Sequence, residues 1–184
     1  MSWDQTLFHA INGLAERSAL ADEAMLLLTR STTLVVPLIL VFLYGVWRNW
    51  RNALVLGAAF GALFLVGDLL GAQIKHLVVR VRPCHLLTGV HQLVGCGGTF
   101  SFPSNHALNT AAAAAFAQVL FPATGWVTWP LVALIGLARV YVGAHYVTDV
   151  LGGWMIGGLL GVGAAMLLRR WKGFKPKSAD KLTS

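Results

Sequence analysis

The chain has 184 residues, of which 57% are hydrophobic and only 11% are charged, and its mean hydropathy is +0.68. Soluble domains carry about 25% charged residues, so this composition excludes an ordinary soluble domain and predicts an integral membrane protein. The formal net charge of +7 is divided between loops and a C-terminal tail. Nucleic acid is therefore not expected as a partner, whereas a lipid bilayer with anionic headgroups is.

Two helices are predicted before the first span. Apolar residues recur at helical spacing within residues 3–16: Trp3, Leu7, Phe8, Ile11 and Leu14. This pattern predicts an amphipathic helix that lies on the membrane surface or packs against the bundle. Charge recurs from Met1 to Glu16, so no cleavable signal peptide is predicted. A second helical stretch, at about 19–30, either extends the first span or forms a sixth helix.

Five apolar stretches follow, and they predict five membrane-spanning helices. Their bounds are Thr33–Trp47, Ala53–Ala72, Leu108–Phe121, Trp126–Val142 and Val147–Leu168. Several are shorter than the ~20 residues that a span needs, but flanking residues can lengthen each of them. The predicted fold is an all-α integral membrane bundle with five to six spanning helices and an N-terminal amphipathic helix. Residues 1–172 are predicted to form a single domain, and residues 173–184 a disordered basic tail.

The positive charges predict which side each loop occupies. Arg48 and Arg51 share one short turn, and the tail carries six more cations: Arg169, Arg170, Lys172, Lys175, Lys177 and Lys181. Short loops rich in such charge belong in the cytoplasm. Four of the five spans lie between these two segments, so both segments fall on the same side of the membrane. Residues 75–103 and 143–146 are therefore predicted to lie together on the extracytoplasmic side.

Glycines recur at four-residue spacing in two of the spans. The last span has Gly153, Gly157 and Gly161, and the second has two pairs: Gly57 and Gly61, then Gly67 and Gly71. Small residues on one face let helices approach closely in lipid. These glycines are therefore interpreted as packing positions.

Charged and polar residues cluster in three short segments at the edges of the apolar stretches. The segments are Lys75-x6-Arg82-Pro83, Pro103-Ser104-Asn105-His106 and Arg139-x5-His145-x3-Asp149. Together they supply three fixed positive charges, a hydroxyl, two imidazoles and a carboxylate. Those groups suffice to hold a phosphate and break its ester bond without a metal. Charge beside spanning helices is costly and therefore indicates function.

His145 and Asp149 are four residues apart, which on a helix places them on one face. A carboxylate there accepts the imidazole Nδ1–H and leaves Nε2 free to attack. An isolated pair at this spacing also stabilises a helix. The preceding Arg139 and the position at the membrane edge favour the functional interpretation.

Ser104 follows a proline and precedes the helix-forming run from Ala107 to Ala117, so it is predicted to be an N-cap. Free backbone N–H groups at such a helix start form an anion site. His106 is placed there to donate a proton to a leaving oxygen. Capping alone is the alternative for Ser104, and the two roles are compatible.

Lys75, Arg82 and Arg139 are predicted to clamp the phosphate, because the arginine fork matches phosphate oxygens. The alternative is anchoring at lipid headgroups, and for Arg80 that interpretation is favoured. Asp68, seven residues before Lys75, is an intramembrane carboxylate and thus a candidate for function. A structural pairing with Lys75 or Arg139 is favoured over a substrate-facing role.

Cys84 and Cys96 fall in one predicted loop. If the loop is extracytoplasmic, a disulfide and two free thiols stay open as alternatives. A zinc site with His85 and His91 is disfavoured, because the spacing matches no strong zinc pattern. No metal or other cofactor is expected.

The three segments resemble the signature motifs of the type 2 phosphatidic acid phosphatase superfamily, which includes lipid phosphate phosphatases and polyprenyl diphosphate phosphatases. The resemblance extends over residues 52–168. Asn105 stands where the family usually has glycine, and Ala138 where it usually has serine. Asparagine tolerates unusual backbone angles better than most residues do, so the second motif is expected to survive. Losing the serine removes one hydroxyl from the expected phosphate contacts.

The resemblance implies a mechanism and a set of roles. His145 attacks phosphorus and forms a phosphohistidine, Asp149 orients it, and His106 protonates the leaving lipid oxygen. The residues implied to bind the phosphate oxygens are Lys75, Arg82, Ser104 and Arg139. The basic side chains neutralise the charge in place of a metal.

The resemblance favours undecaprenyl diphosphate as the substrate, hydrolysed at the periplasmic face of a bacterial inner membrane with the C-terminus in the cytoplasm. Phosphatidylglycerophosphate or phosphatidic acid is the first alternative, and lipid A phosphate the second. The non-enzyme alternative is a lipid-phosphate-binding membrane protein, such as a transport subunit. The intact His106, His145 and Asp149 disfavour it, and the apolar spans exclude a soluble vanadate haloperoxidase. The oligomeric state is not readable, and lipid access is expected between the third and last spans.

Overall fold

The computed structural model of this protein describes residues 2–171, apart from a few side chains near the start of the third helix. Its α-helices are α1 (Trp3–Asn12), α2 (Ala19–Thr29), α3 (Ser31–Val78), α4 (Pro83–Leu86), α5 (Asn105–Leu120), α6 (Gly125–Tyr141) and α7 (Val147–Arg170). A short 3-10 helix, Pro122–Thr124, joins α5 to α6. The all-α prediction is confirmed. The predicted basic tail at 173–184 lies outside the described residues.

The two N-terminal helices are separate elements, each begun by a serine cap. Ser2 and Gln5 form a reciprocal capping box on α1, and Ser18 caps α2. The second helical stretch is therefore a helix of its own. Asn12 fastens α1 to the bundle, because its amide Nδ2 donates to the carbonyl oxygen of Tyr141 at 2.8 Å. Trp3 stays 64% exposed on the opposite face.

The long helix α3 doubles back on itself at Asn49, whose φ of −162° and ψ of 91° are not helical. A Cβ added at Gly57 would lie 2.8 Å from the ring of Phe42, and one at Gly45 would lie 3.4 Å from the Cβ of Ala53. A straight helix rises about 1.5 Å per residue and cannot bring such pairs together. The predicted turn at 48–51 is thus confirmed, and the first two predicted spans are the two arms of α3.

Three described helices are long and apolar enough to cross a membrane: Pro37–Val78, Pro122–Tyr141 and Val147–Arg170. Large apolar side chains on them face outward, among them Leu134 at 47%, Met155 at 69% and Leu159 at 73% exposure. Such a surface is stable in lipid and not in water. The protein is a membrane protein, and the count of five to six spans stays a prediction.

The glycines of α7 are packing positions, as predicted. A Cβ added at Gly153, Gly157 or Gly161 would lie 2.7, 2.0 or 2.2 Å from a backbone carbonyl oxygen of α5. Only glycine permits this approach of two backbones. The expected lipid path between the third and last spans is therefore wrong, because α5 and α7 are in direct backbone contact. The packing interpretation of Gly61 is also wrong, since nothing lies within 4 Å of its added Cβ.

The two ends of the bundle differ in chemistry. At one end, apolar residues of α3, α5 and α7 form a cluster that includes Val55, Leu120 and Leu168. At the other end, the last turn of α3, the first of α5, the last of α6 and the first of α7 meet. All three polar segments found in the sequence lie at this second end.

Candidate active site

Direct contacts join the three polar segments into one site. Arg82 reaches His145, Lys75 reaches Asn105, and the backbone N–H of Ser104 donates to the carbonyl oxygen of Asp149 at 3.0 Å. The grouping expected from the sequence is therefore present in the fold. It forms because α3 and α6 end, and α5 and α7 begin, at the same end of the bundle.

His145 and Asp149 are buried together at the start of α7. His145 is 2% exposed and Asp149 is 0% exposed. The Nδ1 atom of His145 lies 3.6 Å from Oδ2 of Asp149, which is an ion-pair distance and slightly too long for a hydrogen bond. Oδ2 also accepts the backbone N–H of Tyr146 at 2.9 Å, so the carboxylate is fixed by the helix start.

The other nitrogen of His145 faces a cation. Its Nε2 lies 3.2 Å from NH1 of Arg82, which can only donate, so Nε2 must accept and Nδ1 carries the hydrogen. Burial, together with the nearby charges of Arg139 and Arg82, lowers the pKa of His145 to about 4 against the opposing effect of Asp149. The ring is therefore neutral at pH 7, with an electron pair on Nε2.

Arg82 is held by backbone carbonyls on two sides. Its Nε donates to Gly98 at 2.6 Å and its NH1 to Ala144 at 3.1 Å. Its own backbone N–H donates to the carbonyl oxygen of Thr99 at 3.0 Å. Burial lowers the pKa of Arg82, against the opposing charge of Asp149, but an arginine remains charged at neutral pH. Its position is therefore set by the scaffold and not by a carboxylate.

Lys75 lies in the last turn of α3 and points at the start of α5. Its Nζ donates to the carbonyl oxygen of Pro103 and to Oδ1 of Asn105, the latter at 2.7 Å. The Nδ2 of Asn105 in turn donates to Oδ1 of Asp68 at 3.1 Å, and Asn109 donates to the same oxygen at 2.8 Å. Two asparagine amides thus hold the carboxylate of Asp68. Its favoured pairing with Lys75 is present as an electrostatic interaction and a link through Asn105, without a direct ion pair among the described residues.

The space for these asparagines comes from glycines of α3. A Cβ added at Gly71 would lie 2.7 Å from Oδ1 of Asn105, and one at Gly67 would lie 2.4 Å from Oδ1 of Asn109. Asn105 is the first residue of α5 and has helical backbone geometry. Its backbone therefore does not adopt the unusual angles that glycine tolerates. Its side chain instead joins Lys75 to Asp68.

Ser104 caps α5, as predicted, with its Oγ accepting the N–H of Ala107 at 3.5 Å. It is fully buried. His106 lies in the first turn of α5. Its Nε2 is 3.2 Å from the carbonyl oxygen of Thr29 at the end of α2. A carbonyl can only accept, so Nε2 of His106 carries the hydrogen in this arrangement.

Arg139 differs from the other cations of the site in having a buried N–H donor that binds no described residue. Its Nε is buried and has no hydrogen-bond partner among the residues that the structure describes. It lies close enough to His106 and His145 to disfavour their positively charged forms, and it lies near the charge of Arg82. A buried, unpartnered donor is expensive, and an anion between these groups would satisfy it.

Arg80 belongs to the site, which corrects its favoured interpretation as a lipid-headgroup anchor. It forms ion pairs with Asp149 at 2.7 Å and with Asp4 of α1 at 2.5 Å. The sequence held a usable signal, because Arg80 and Arg82 are two apart in an extended segment and so project from the same side. Nothing local pointed to Asp4, which lies 76 residues away in the chain.

Cys84 and Cys96 are joined by a disulfide with their Cα atoms 6.1 Å apart. It closes the loop between Arg82 and the carbonyl of Gly98 that Arg82 binds. Cys84, His85 and Cys96 form the one cluster of metal-ligating side chains found in the described part of the chain. Since the two sulfurs are bonded to each other, neither is a thiolate, and the zinc alternative does not fit this arrangement.

Comparison with known proteins identifies the class. The PAP2 superfamily profile matches residues 52–173. An undecaprenyl-diphosphatase of Bacillus subtilis is 30% identical over 164 residues, covering 84% of this chain and 79% of that protein. A lipid A 4'-phosphatase of Porphyromonas gingivalis is 28% identical over 166 residues, covering 86% and 70%.

The fold agrees with that result. The crystal structure of a transmembrane PAP2-type phosphatidylglycerolphosphate phosphatase from Bacillus subtilis matches with a TM-score of 0.70 at 28% identity, covering 95% of this chain and 90% of that one. The chain belongs to the PAP2 superfamily. It is a membrane-embedded lipid phosphatase.

Proposed function

We propose that this protein hydrolyses a lipid phosphate or diphosphate through a phosphohistidine intermediate formed on His145. The observation that carries the proposal is the buried, unpartnered Nε of Arg139, beside Arg82 and both site histidines. A phosphate placed there would meet an unsatisfied cation on one side and the electron pair of His145 on the other. That is the arrangement required for attack on phosphorus.

The proposed chemistry has two steps. Nε2 of His145 attacks phosphorus, and the bond from phosphorus to the leaving lipid oxygen breaks. His106, whose Nε2–H is held by Thr29, takes up a proton on Nδ1 when the phosphate anion binds and delivers it to that oxygen. Water then attacks the phosphohistidine, passes a proton to His106 and releases inorganic phosphate. Asp149 stabilises the positive charge that develops on the ring during attack.

The cations hold the phosphate oxygens during both steps. Arg82 and Arg139 offer planar forks, and Lys75 has one N–H beyond the two that bind Pro103 and Asn105. Ser104 adds its hydroxyl at the helix start of α5. These groups neutralise the charge that develops at phosphorus, so the proposed reaction needs no metal.

Among substrates, undecaprenyl diphosphate is the first choice. Support comes from the named activity of the undecaprenyl-diphosphatase relative. Phosphatidylglycerophosphate and a lipid A phosphate are the alternatives, supported by other relatives of this chain. The site is proposed to face the periplasm of a bacterial inner membrane, opposite the Asn49 bend with its flanking Arg48 and Arg51. The disulfide of the site loop supports an oxidising compartment.

The test is phosphate release by the purified protein in detergent with a chelator present. The panel holds undecaprenyl diphosphate, phosphatidylglycerophosphate, phosphatidic acid and lipid A. His145→Ala is expected to abolish release, whereas His85→Ala, which removes an exposed imidazole on the same side, is expected to leave it unchanged. Rapid quenching with ³²P-labelled substrate is expected to trap protein-bound phosphate that is stable to alkali and labile to acid.

The outcomes are distinct. Chelator-resistant release that His145→Ala abolishes supports the phosphohistidine route, and the best substrate names the class of lipid. Release that the chelator abolishes would overturn the metal-free mechanism. No release from any lipid by folded protein would overturn the substrate proposal.

A further inference from the structure

Arg80 donates three of its five N–H groups to side chains of the protein. Its NH1 donates to Oδ1 of Asp149 at 2.7 Å and to Oγ1 of Thr148, and its NH2 donates to Oδ2 of Asp4 at 2.5 Å. Its guanidinium carbon lies 4.1 Å from the centre of the Tyr146 ring. All of these groups lie on α1 or at the start of α7. Arg80 is therefore held mainly by groups of the protein.

These contacts link the N-terminal surface helix to the catalytic carboxylate. Asp4 accepts the backbone N–H of Thr148 at 3.2 Å and the hydroxyl of Thr148 at 2.5 Å, so a residue of α1 caps the start of α7. Burial alone would raise the pKa of Asp4, but hydrogen bonds from Thr148 and Arg80 outweigh it and the pKa lies below the ordinary value. Asp4 therefore remains ionised at neutral pH.

The arrangement leaves one oxygen of Asp149 for the histidine. Arg80 occupies Oδ1, whereas Oδ2 faces His145 at 3.6 Å. Asp149 is fully buried. Removing the partner of a buried charge leaves that charge uncompensated and is strongly destabilising. The side chain of Arg80 is 30% exposed, so it connects this buried carboxylate to the solvent side of the site.

We propose that Arg80 is a positioning residue that sets the orientation of Asp149 toward His145, with Asp4 of α1 as its second anchor. This inference rests on the proposed phosphohistidine chemistry. It assigns the N-terminal helix a part in turnover that is separate from membrane binding. Because Arg80 acts through Asp149 and not on the phosphate, its loss should lower kcat and leave KM unchanged.

The experiment compares the parent protein with Arg80→Ala, Arg80→Lys and Asp4→Asn, on whichever lipid the parent hydrolyses. Arg80→Ala is expected to lower kcat about 10- to 100-fold with KM unchanged, in line with the loss of a supporting contact behind a catalytic group. Millimolar guanidinium, far below denaturing concentrations, is expected to restore part of that kcat through the exposed side of the site. Equimolar urea, which is similar in shape and uncharged, is not.

Two further variants keep the test decisive. Arg80→Lys retains the charge without the fork, so it is expected to lose less kcat than Arg80→Ala, and it serves if Arg80→Ala does not fold. Asp4→Asn is expected to lower kcat by less, and its effect should be smaller when added to Arg80→Ala, because the contact between Asp4 and Arg80 is then already lost. Arg48→Ala, which removes an exposed arginine at the Asn49 bend, is the control and is expected to match the parent.

Parental kcat in Arg80→Ala, an effect on KM alone, or a loss that guanidinium restores no better than urea would overturn the inference. An inactive parent protein would overturn the proposed function instead, so the two failures are distinguishable.

Discussion

The two halves of the site treat charge in opposite ways. The carboxylate network, formed by Asp4, Arg80, Thr148 and Asp149, pairs its arginine with both of its carboxylates at 2.5 and 2.7 Å. The cationic pocket, formed by Lys75, Arg82 and Arg139, has no such pairing. Within residues 2–171, none of its three cations forms an ion pair with a carboxylate.

This difference supports the proposal that the cationic pocket binds the ligand. Uncompensated buried charge destabilises a fold, and it is retained where a bound anion supplies the missing partner. Paired buried charge, in contrast, holds its members in a fixed geometry. We therefore infer that the carboxylate network is the rigid support of the site, and the cationic pocket is the proposed phosphate-binding part. Variants that change the cationic pocket test this comparison.

The largest effect is expected from Arg139→Met in the cationic pocket. The change removes the unpartnered donor while keeping an apolar side chain of similar length, so the fold should gain stability while the chemistry suffers. We expect kcat/KM to fall by about 100- to 1,000-fold, the range for removing one donor to a transition-state oxyanion. Initial rates of phosphate release measure the first effect, and thermal unfolding in detergent measures the second.

Arg139→Lys and Arg48→Met complete that comparison. The lysine variant retains the charge without the fork, and we expect it to recover part of the activity. Arg48→Met removes a cation at the far end of the bundle and should match the parent. A folded Arg139→Met protein with parental kcat/KM would show that the unpartnered arginine has no role at phosphorus.

A second, smaller effect concerns pH. Burial lowers the pKa of His145 to about 4, and the charges of Arg139 and Arg82 act in the same direction, against the opposing Asp149. The ring therefore stays neutral and nucleophilic as the pH falls, until about 4. We expect the acid limb of kcat/KM near that pH instead of near the ordinary value of 6.5. In Arg139→Met one repelling charge is gone, so the limb should move to higher pH.

Stability must be followed in the same experiment. The folded ring binds a proton less readily than the unfolded one, so the folded state loses stability as the pH falls below 6.5. Circular dichroism at each pH separates unfolding from titration. A parental acid limb near 6.5, or a limb that moves to lower pH in Arg139→Met, would contradict the electrostatic account.

The sequence was sufficient for the parts of the site that follow local spacing. His145 lies near Asp149, as their spacing predicted, although His145 precedes α7 and is not itself helical. Ser104 caps a helix because a helix-forming run follows it. The glycines of α7 lie against α5 because small residues at four-residue spacing form one flat face. Each of these inferences needs only the geometry of one helix, and each gave the right arrangement.

The contacts that sequence reasoning missed join distant parts of the chain. Asp4 lies 76 residues before Arg80, and Asp68 is 37 residues before Asn105. No local period links such positions, since their meeting depends on how whole helices pack. Asp68 was expected to pair with a cation on the ground of charge alone. The structure instead satisfies it with two neutral amides, for which Gly67 and Gly71 leave the space.

The smallest effect is expected from losing the contact between Asn105 and Lys75 of the cationic pocket. Asn105→Gly removes the Oδ1 that accepts from Lys75 at 2.7 Å, but the carbonyl of Pro103 still accepts from the same ammonium. One net hydrogen bond is worth about 0.5–1.5 kcal/mol, so we expect KM to rise about 2- to 10-fold while kcat changes little. Asn109→Ala is the matched control, because it also removes a donor to Asp68 but does not touch Lys75. An equal rise in KM in Asn109→Ala would contradict this expectation. It would show that the loss of a donor to Asp68, and not the loss of the acceptor for Lys75, raises KM.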